Sequence, residues 1–141
     1  MSPIFADTSF WIALLNPRDQ WYKYANTIAD EMIKIPIATT DEVLVETLTY
    51  FSGFGAIARR SAAQFVTMLH TNPNATVFPQ SRESFFSGLE LYRARSDKKY
   101  SFTDCISMYV IKHHSLSKEI FTNDRHFEQE GFKILMKEGI S

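Results

Sequence analysis

Short apolar runs alternate along this chain with longer stretches in which apolar residues recur every three or four positions. Pro3-Ile4-Phe5-Ala6 ends at Asp7 and predicts a first strand. Pro36-Ile37-Ala38-Thr39, Ala75-Thr76-Val77-Phe78 and Glu119-Ile120-Phe121-Thr122 predict three more, and residues 133–136 a short fifth at a sheet edge. The intervening stretches read as helices. Thr8 or Ser9 caps the first, which Asn16-Pro17 stops after Leu15. Trp21, Tyr24, Ala25, Ile28, Ala29 and Met32 mark the second. Thr40 or Asp41 caps the third, with Val43, Leu44, Thr47, Leu48 and Phe51 facing inward until Gly53 and Gly55 break it. A fourth covers about residues 56–69 and ends at Asn72-Pro73-Asn74. Ser81 caps a fifth, with Phe85, Phe86, Leu89 and Tyr92 as its apolar stripe. Ser101 and Asp104 form a capping-box pattern at the start of a sixth, with Asp in place of the usual Glu or Gln. Its buried stripe is Ile106, Tyr109, Val110 and His113.

Strands alternating with helices imply an α/β fold with a mostly parallel sheet of four or five strands, covered on both faces. Ligands in such sheets bind beyond the carboxyl ends of the strands. The 141 residues suffice for a single domain, taken as 1–141. Hydrophobic residues at 45% and charged residues at 22% exclude disorder. A net charge of −1 removes any overall attraction to nucleic acid or membranes, so a polyanion needs a local basic patch or bound cations. Cys105 stands alone, without zinc-ligand spacing, and nothing resembles a signal peptide or a membrane span. The expected compartment is a reducing cytoplasm.

Four acids follow or precede the predicted strands on the side where ligands bind: Asp7, Glu46, Asp104 and Asp124. Singly, each has an ordinary use, as a helix cap, a solvated surface group or a turn residue. Together they would repel unless a cation joined them. Mg²⁺ or Mn²⁺, one ion or two, suits an all-oxygen cradle of this kind. Such ions activate water and stabilise a leaving oxygen in phosphodiester hydrolysis.

Phe5-Ala6-Asp7-Thr8-Ser9-Phe10-Trp11, Glu42-Val43-Leu44-Val45-Glu46-Thr47, Ser101-Phe102-Thr103-Asp104-Cys105 and Thr122-Asn123-Asp124-Arg125-His126-Phe127 resemble, in order, the four motifs of PIN domains, in particular of VapC-type toxin ribonucleases. The resemblance implies a PIN-like three-layer α/β/α sandwich. It implies Asp7, Glu46, Asp104 and Asp124 as metal ligands and catalytic residues, and hydroxyls of Thr8, Ser9 and Thr103 orienting ligands or water. Glu42, one turn before Glu46, could assist or replace it. It further implies an RNA substrate, a small antitoxin partner and a homodimer. Asp19-Gln20-Trp21-Tyr22 stands where many relatives carry a histidine.

Arg93, Arg95, Lys98 and Lys99 precede the Asp104 motif and read either as a substrate phosphate grip or as a solvated loop. His126 reads as a structural hydrogen-bonding residue and Cys105 as a small buried hydrophobe. The aromatic residues default to packing, with Tyr100 or Phe102 as possible stacking surfaces. The expected activity is a metal-dependent endoribonuclease. The alternatives are a non-catalytic PIN-fold binding module for RNA or protein, and a phosphatase. The phosphatase would need a second aspartate two residues after Asp7, where Ser9 stands.

Overall fold

The computed structural model describes residues 2–32 and 34–137. Five parallel strands form one sheet in the order β3-β2-β1-β4-β5: β1 (Ile4–Ala6), β2 (Ile37–Thr40), β3 (Ala75–Phe78), β4 (Glu119–Phe121) and β5 (Lys133–Ile134). The helices are α1 (Thr8–Leu15), α2 (Tyr22–Asp30), α3 (Asp41–Phe51), α4 (Ala56–Thr71), α5 (Arg82–Ala94), α6 (Phe102–His113) and α7 (His126–Gln129). They flank the sheet as an α/β/α sandwich, as the alternation predicted.

The chain builds outward from β1 through β2 to β3, then returns to the other side of β1 for β4 and β5. The reversal leaves a crevice between β1 and β4 at their carboxyl ends, the usual ligand position in such sheets. The central strands read as continuous apolar runs because both faces are covered. Phe5, Ala6 and Ile120 are fully buried. On α1, Phe10 stacks on Phe121 at 5.0 Å between ring centres and meets Trp11 edge-on at 5.1 Å. Each such buried ring stabilises the fold by about 1.5–3 kcal/mol relative to exposure.

Capping follows the sequence at α3, α5 and α6 but not at α1, where Thr8 and Ser9 lie inside the helix and Asp7 holds the N-cap position. The Thr40 hydroxyl accepts from the Val43 amide, and Ser101 and Asp104 form a reciprocal capping box. Ser81 pairs in the same way with Ser84.

One face differs from expectation. The expected stripe of α5 is largely outside: Phe85, Phe86 and Tyr92 are exposed, while Ser84 and Gly88 are buried. The reason is the close approach of α6. A Cβ on Gly88 would stand 2.6 Å from Ile106 Cγ1, so only the small-residue face of α5 fits there. On α6, Tyr109 is partly buried and packs against the core, whereas His113, stacked on it at 5.1 Å, is exposed instead of joining the buried stripe. The helix α7 was not predicted, and β5 is shorter than the 133–136 run.

Candidate active site

Strand register creates the site. Ala6 lies opposite Phe121, and the Asp7 amide donates to the Phe121 carbonyl at 3.0 Å, so the residues after β1 and β4 emerge side by side. The Thr122 hydroxyl donates to Asp7 Oδ2 at 3.0 Å. The same oxygen of Thr122 accepts the Asp124 amide at 3.1 Å and contacts the Ser9 hydroxyl at 3.2 Å. Ser9 Oγ accepts the Asn123 amide at 3.2 Å, which ties the start of α1 to the turn after β4. Asp7 occupies the N-cap position of α1 but makes no side-chain capping bond, so its carboxylate is turned to other use.

Asp104 arrives from the first turn of α6. Its Oδ2 accepts the Ser101 amide at 3.1 Å. His126 Nδ1 lies 3.4 Å from Asp104 Oδ2 and 3.3 Å from Asp124 Oδ1, and so bridges two carboxylates from different elements. On α3, Glu46 Oε1 accepts the Thr8 hydroxyl at 2.6 Å. Asp7, Glu46, Asp104 and Asp124 thus line a single cleft of about 590 Å³, with Thr8, Ser9 and His126 in its walls.

The acids conflict electrostatically. Burial, and next the charge of Asp104, push the Asp7 carboxyl up to about 7. Burial and then the charge of Asp124 raise Asp104 as well. Asp104, Asp124 and His126 each present a ligand atom, all within 4.8 Å of one another. Two hard oxygens and an imidazole nitrogen in that space, with Asp7 and Glu46 on the same walls, fit a divalent cation.

The basic residues divide. Lys99 reaches the cleft, and so does Arg125, which the sequence reading did not select. Arg93, Arg95 and Lys98 line a neighbouring cavity of about 620 Å³ that Lys99 joins. Within it, Arg95 is engaged: its Nε and Nη2 each donate to Glu130 at 2.9 Å. Tyr100 is buried and donates to the same carboxylate at 3.0 Å, which removes it as a stacking surface. Lys98 lies 3.8 Å from Asp97 at the surface.

Thr103 lies outside the acid cleft and lines a further cavity with Glu42. Glu42 and Glu46 therefore face different spaces, and Glu46 is the one beside Asp7. Cys105 is fully buried and its thiol is pushed up to about 11, chiefly by burial, so it is no nucleophile.

The PIN domain family matches residues 4–133. The chain belongs to the PIN domain family. Among solved structures, the VapC20 toxin of Mycobacterium tuberculosis, described as cleaving the Sarcin-Ricin loop, is similar at 25% sequence identity with a TM-score of 0.78. The likeness covers 92% of this chain and 95% of VapC20. No curated protein sequence matches the chain. The order of the four acidic motifs read from sequence is the order in which this PIN fold delivers them to the cleft. Among the described residues no helix is long and apolar enough to cross a membrane.

Proposed function

We propose that this PIN domain is a Mg²⁺- or Mn²⁺-dependent endoribonuclease, the toxin of a toxin–antitoxin pair, acting in the cytoplasm as a homodimer. The observation that carries the reading is the convergence of Asp7, Asp104 and Asp124 where two of the three carboxyls are raised by burial and mutual repulsion. A folded protein bears that cost where a cation offsets it. The likeness to an RNA-cleaving toxin over nearly the full length of both chains supports the substrate class.

Asp7, Glu46, Asp104 and Asp124 would hold one or two ions. A bound divalent cation supplies positive charge to the scissile phosphate and lowers the pKa of water. The chain's own residues do the rest. Thr8 fixes the Glu46 carboxylate, and Thr122 fixes that of Asp7. His126 holds Asp104 and Asp124 at a set separation. Lys99 and Arg125 supply positive charge at the rim for flanking phosphates, and Arg93 and Lys98 extend that path. Attack by water needs no 2′-hydroxyl; with the 3′ oxygen as leaving group the P–O3′ bond breaks as the new P–O bond forms, and the products would be a 3′-hydroxyl and a 5′-phosphate.

Purified protein incubated with mixed RNA tests this. Cleavage that requires Mn²⁺ or Mg²⁺, and that Asp7→Asn and Asp104→Asn each abolish, is the expected result. Wild type that binds no metal and cuts no RNA would leave a binding module in its place.

A further inference from the structure

Beside the acid cleft lies a second cavity, of about 660 Å³, that the proposed chemistry does not use. The two share walls. On α3, Glu46 faces the cleft and Glu42, one turn earlier, faces the second cavity. At the start of α6, Ser101 and Asp104 face the cleft, whereas Phe102 and Thr103 line the second cavity.

The cavity wall is aromatic and open to solvent. Phe85 is 39% exposed and meets Phe102 edge-on with ring centres 4.9 Å apart. Phe86, 52% exposed, lies outside the cavity lining and adjoins Phe85 at 5.4 Å. The Arg82 guanidinium lies 4.7 Å from the centre of the Phe86 ring and 5.4 Å from that of Phe85. Hydrogen-bonding groups line the same space: the Gln80 amide, the Thr103 hydroxyl and the Glu42 carboxylate. Burial is the largest cause of the raised pKa of Glu42, so it stands partly shielded from water. An apolar docking surface for a protein is depleted of charge at its centre. This cavity instead mixes ring faces, a guanidinium plane and polar edges.

We propose that this cavity is a stacking subsite for one unpaired base of the RNA whose backbone lies at the acids, an inference that rests on the nuclease reading. The rings and Arg82 take the flat faces of the base, while Gln80, Thr103 and Glu42 meet its edge. A paired base cannot present its faces in this way, so the subsite selects single-stranded or looped RNA.

The test is steady-state cleavage of a short unstructured RNA in Mn²⁺ by the full chain and by Phe85→Leu, Phe85→Tyr and Arg82→Gln. Phe85→Leu is expected to raise KM about tenfold with kcat nearly unchanged, because a base–aromatic stack is lost. Phe85→Tyr keeps the ring and the wild-type KM. A fluorescent aminopurine placed beside the cleavage site is quenched by wild type and by Phe85→Tyr but less by Phe85→Leu. Equal KM and equal quenching in an active wild type and Phe85→Leu would overturn the subsite and leave the nuclease standing. A wild type that cuts no RNA removes the nuclease reading and the subsite with it. If Phe85→Leu and Arg82→Gln change the oligomeric state in sedimentation while KM holds, the surface joins two copies of the chain and the inference fails.

Discussion

The Thr8 hydroxyl donates to Glu46 Oε1 at 2.6 Å and so joins the first turn of α1 to the second turn of α3 across the acid cleft. A carboxylate on a helix surface is otherwise free to change rotamer, and a short hydrogen bond to one oxygen leaves the other presented. Thr8→Val keeps the shape and removes the donor. Mn²⁺ affinity is expected to fall by roughly 10–100-fold, the usual effect of losing a group that orients a ligand. Thr8→Ser should restore most of it. Titration calorimetry measures both. Unchanged affinity in Thr8→Val would mean that Glu46 takes no part in holding metal.

The raised carboxyl of Asp7 gives a pH dependence of known sign. Its pKa rises from 3.8 to about 7 in the folded chain, so the folded state holds the proton more tightly than the unfolded state. The contribution to stability is complete below the unfolded value and is lost as pH rises toward and through about 7. Metal-free protein should therefore be less stable at about pH 8 than at about pH 5, with this residue supplying on the order of 3 kcal/mol of the difference. Asp7→Asn cannot ionise and should melt higher than wild type at the alkaline end. Saturating Mn²⁺ should remove much of the wild-type deficit. Melting curves across that range check it, and identical pH slopes in wild type and variant would refute it.

The strand positions were legible because each short apolar run ends at a polar residue or a proline that begins a helix or a turn, whereas the order of the strands in the sheet was not read from the sequence. The same punctuation exposed Asp7 and Asp104, which sit at helix starts, and Asp124, which follows β4. His126 was readable only as a structural residue. Its spacing from Asp124 gives a turn, and only the docking of that turn against α6 sets Nδ1 between two carboxylates. The face of α5 was misread for a related reason. Large apolar side chains mark a stripe, but the shape of Ile106 on a different helix selects Ser84 and Gly88 for burial. Charge counting in residues 93–99 also could not show that Glu130, far along the chain, had claimed Arg95.

Arg95 and Lys99 should therefore separate in experiment. Glu130 accepts from Arg95, Tyr100 and Lys112, and its carboxyl is held down to about 2, with Arg95 the largest cause. A lowered carboxyl contributes stability above the unfolded value of 4.5, and that stability is lost as pH falls through about 2. Glu130→Gln should cost about 2 kcal/mol at neutral pH and little near the acid end. Arg95→Ala should lower the melting temperature and leave RNA affinity close to wild type. Lys99→Ala should do the reverse, weakening RNA binding and flattening its dependence on salt. Filter binding at two salt concentrations, beside melting curves, distinguishes the two residues. An Arg95→Ala protein that is fully stable but binds RNA poorly would return Arg95 to the substrate path.

Gly88 offers the sharpest test of how α5 supports the site. A methyl group there would stand 2.6 Å from Ile106 Cγ1 and 3.2 Å from the Ile106 amide nitrogen, and Ile106 is two residues beyond Asp104. The φ of Gly88 is ordinary for a helix, so alanine should stabilise the isolated helix by about 1 kcal/mol. Overpacking against α6 works the other way and costs about 1–3 kcal/mol. The contact with the Ile106 backbone decides the sign, because a main chain inside a helix cannot move aside as a side-chain tip can. Gly88→Ala is expected to destabilise the protein and to lower metal-dependent cleavage by shifting the turn that carries Asp104. Ile106→Ala in the same chain removes the closest clash and should recover part of the activity despite its own cavity cost. A Gly88→Ala protein that melts higher than wild type and cleaves at the same rate would show that α5 and α6 do not approach as closely as described.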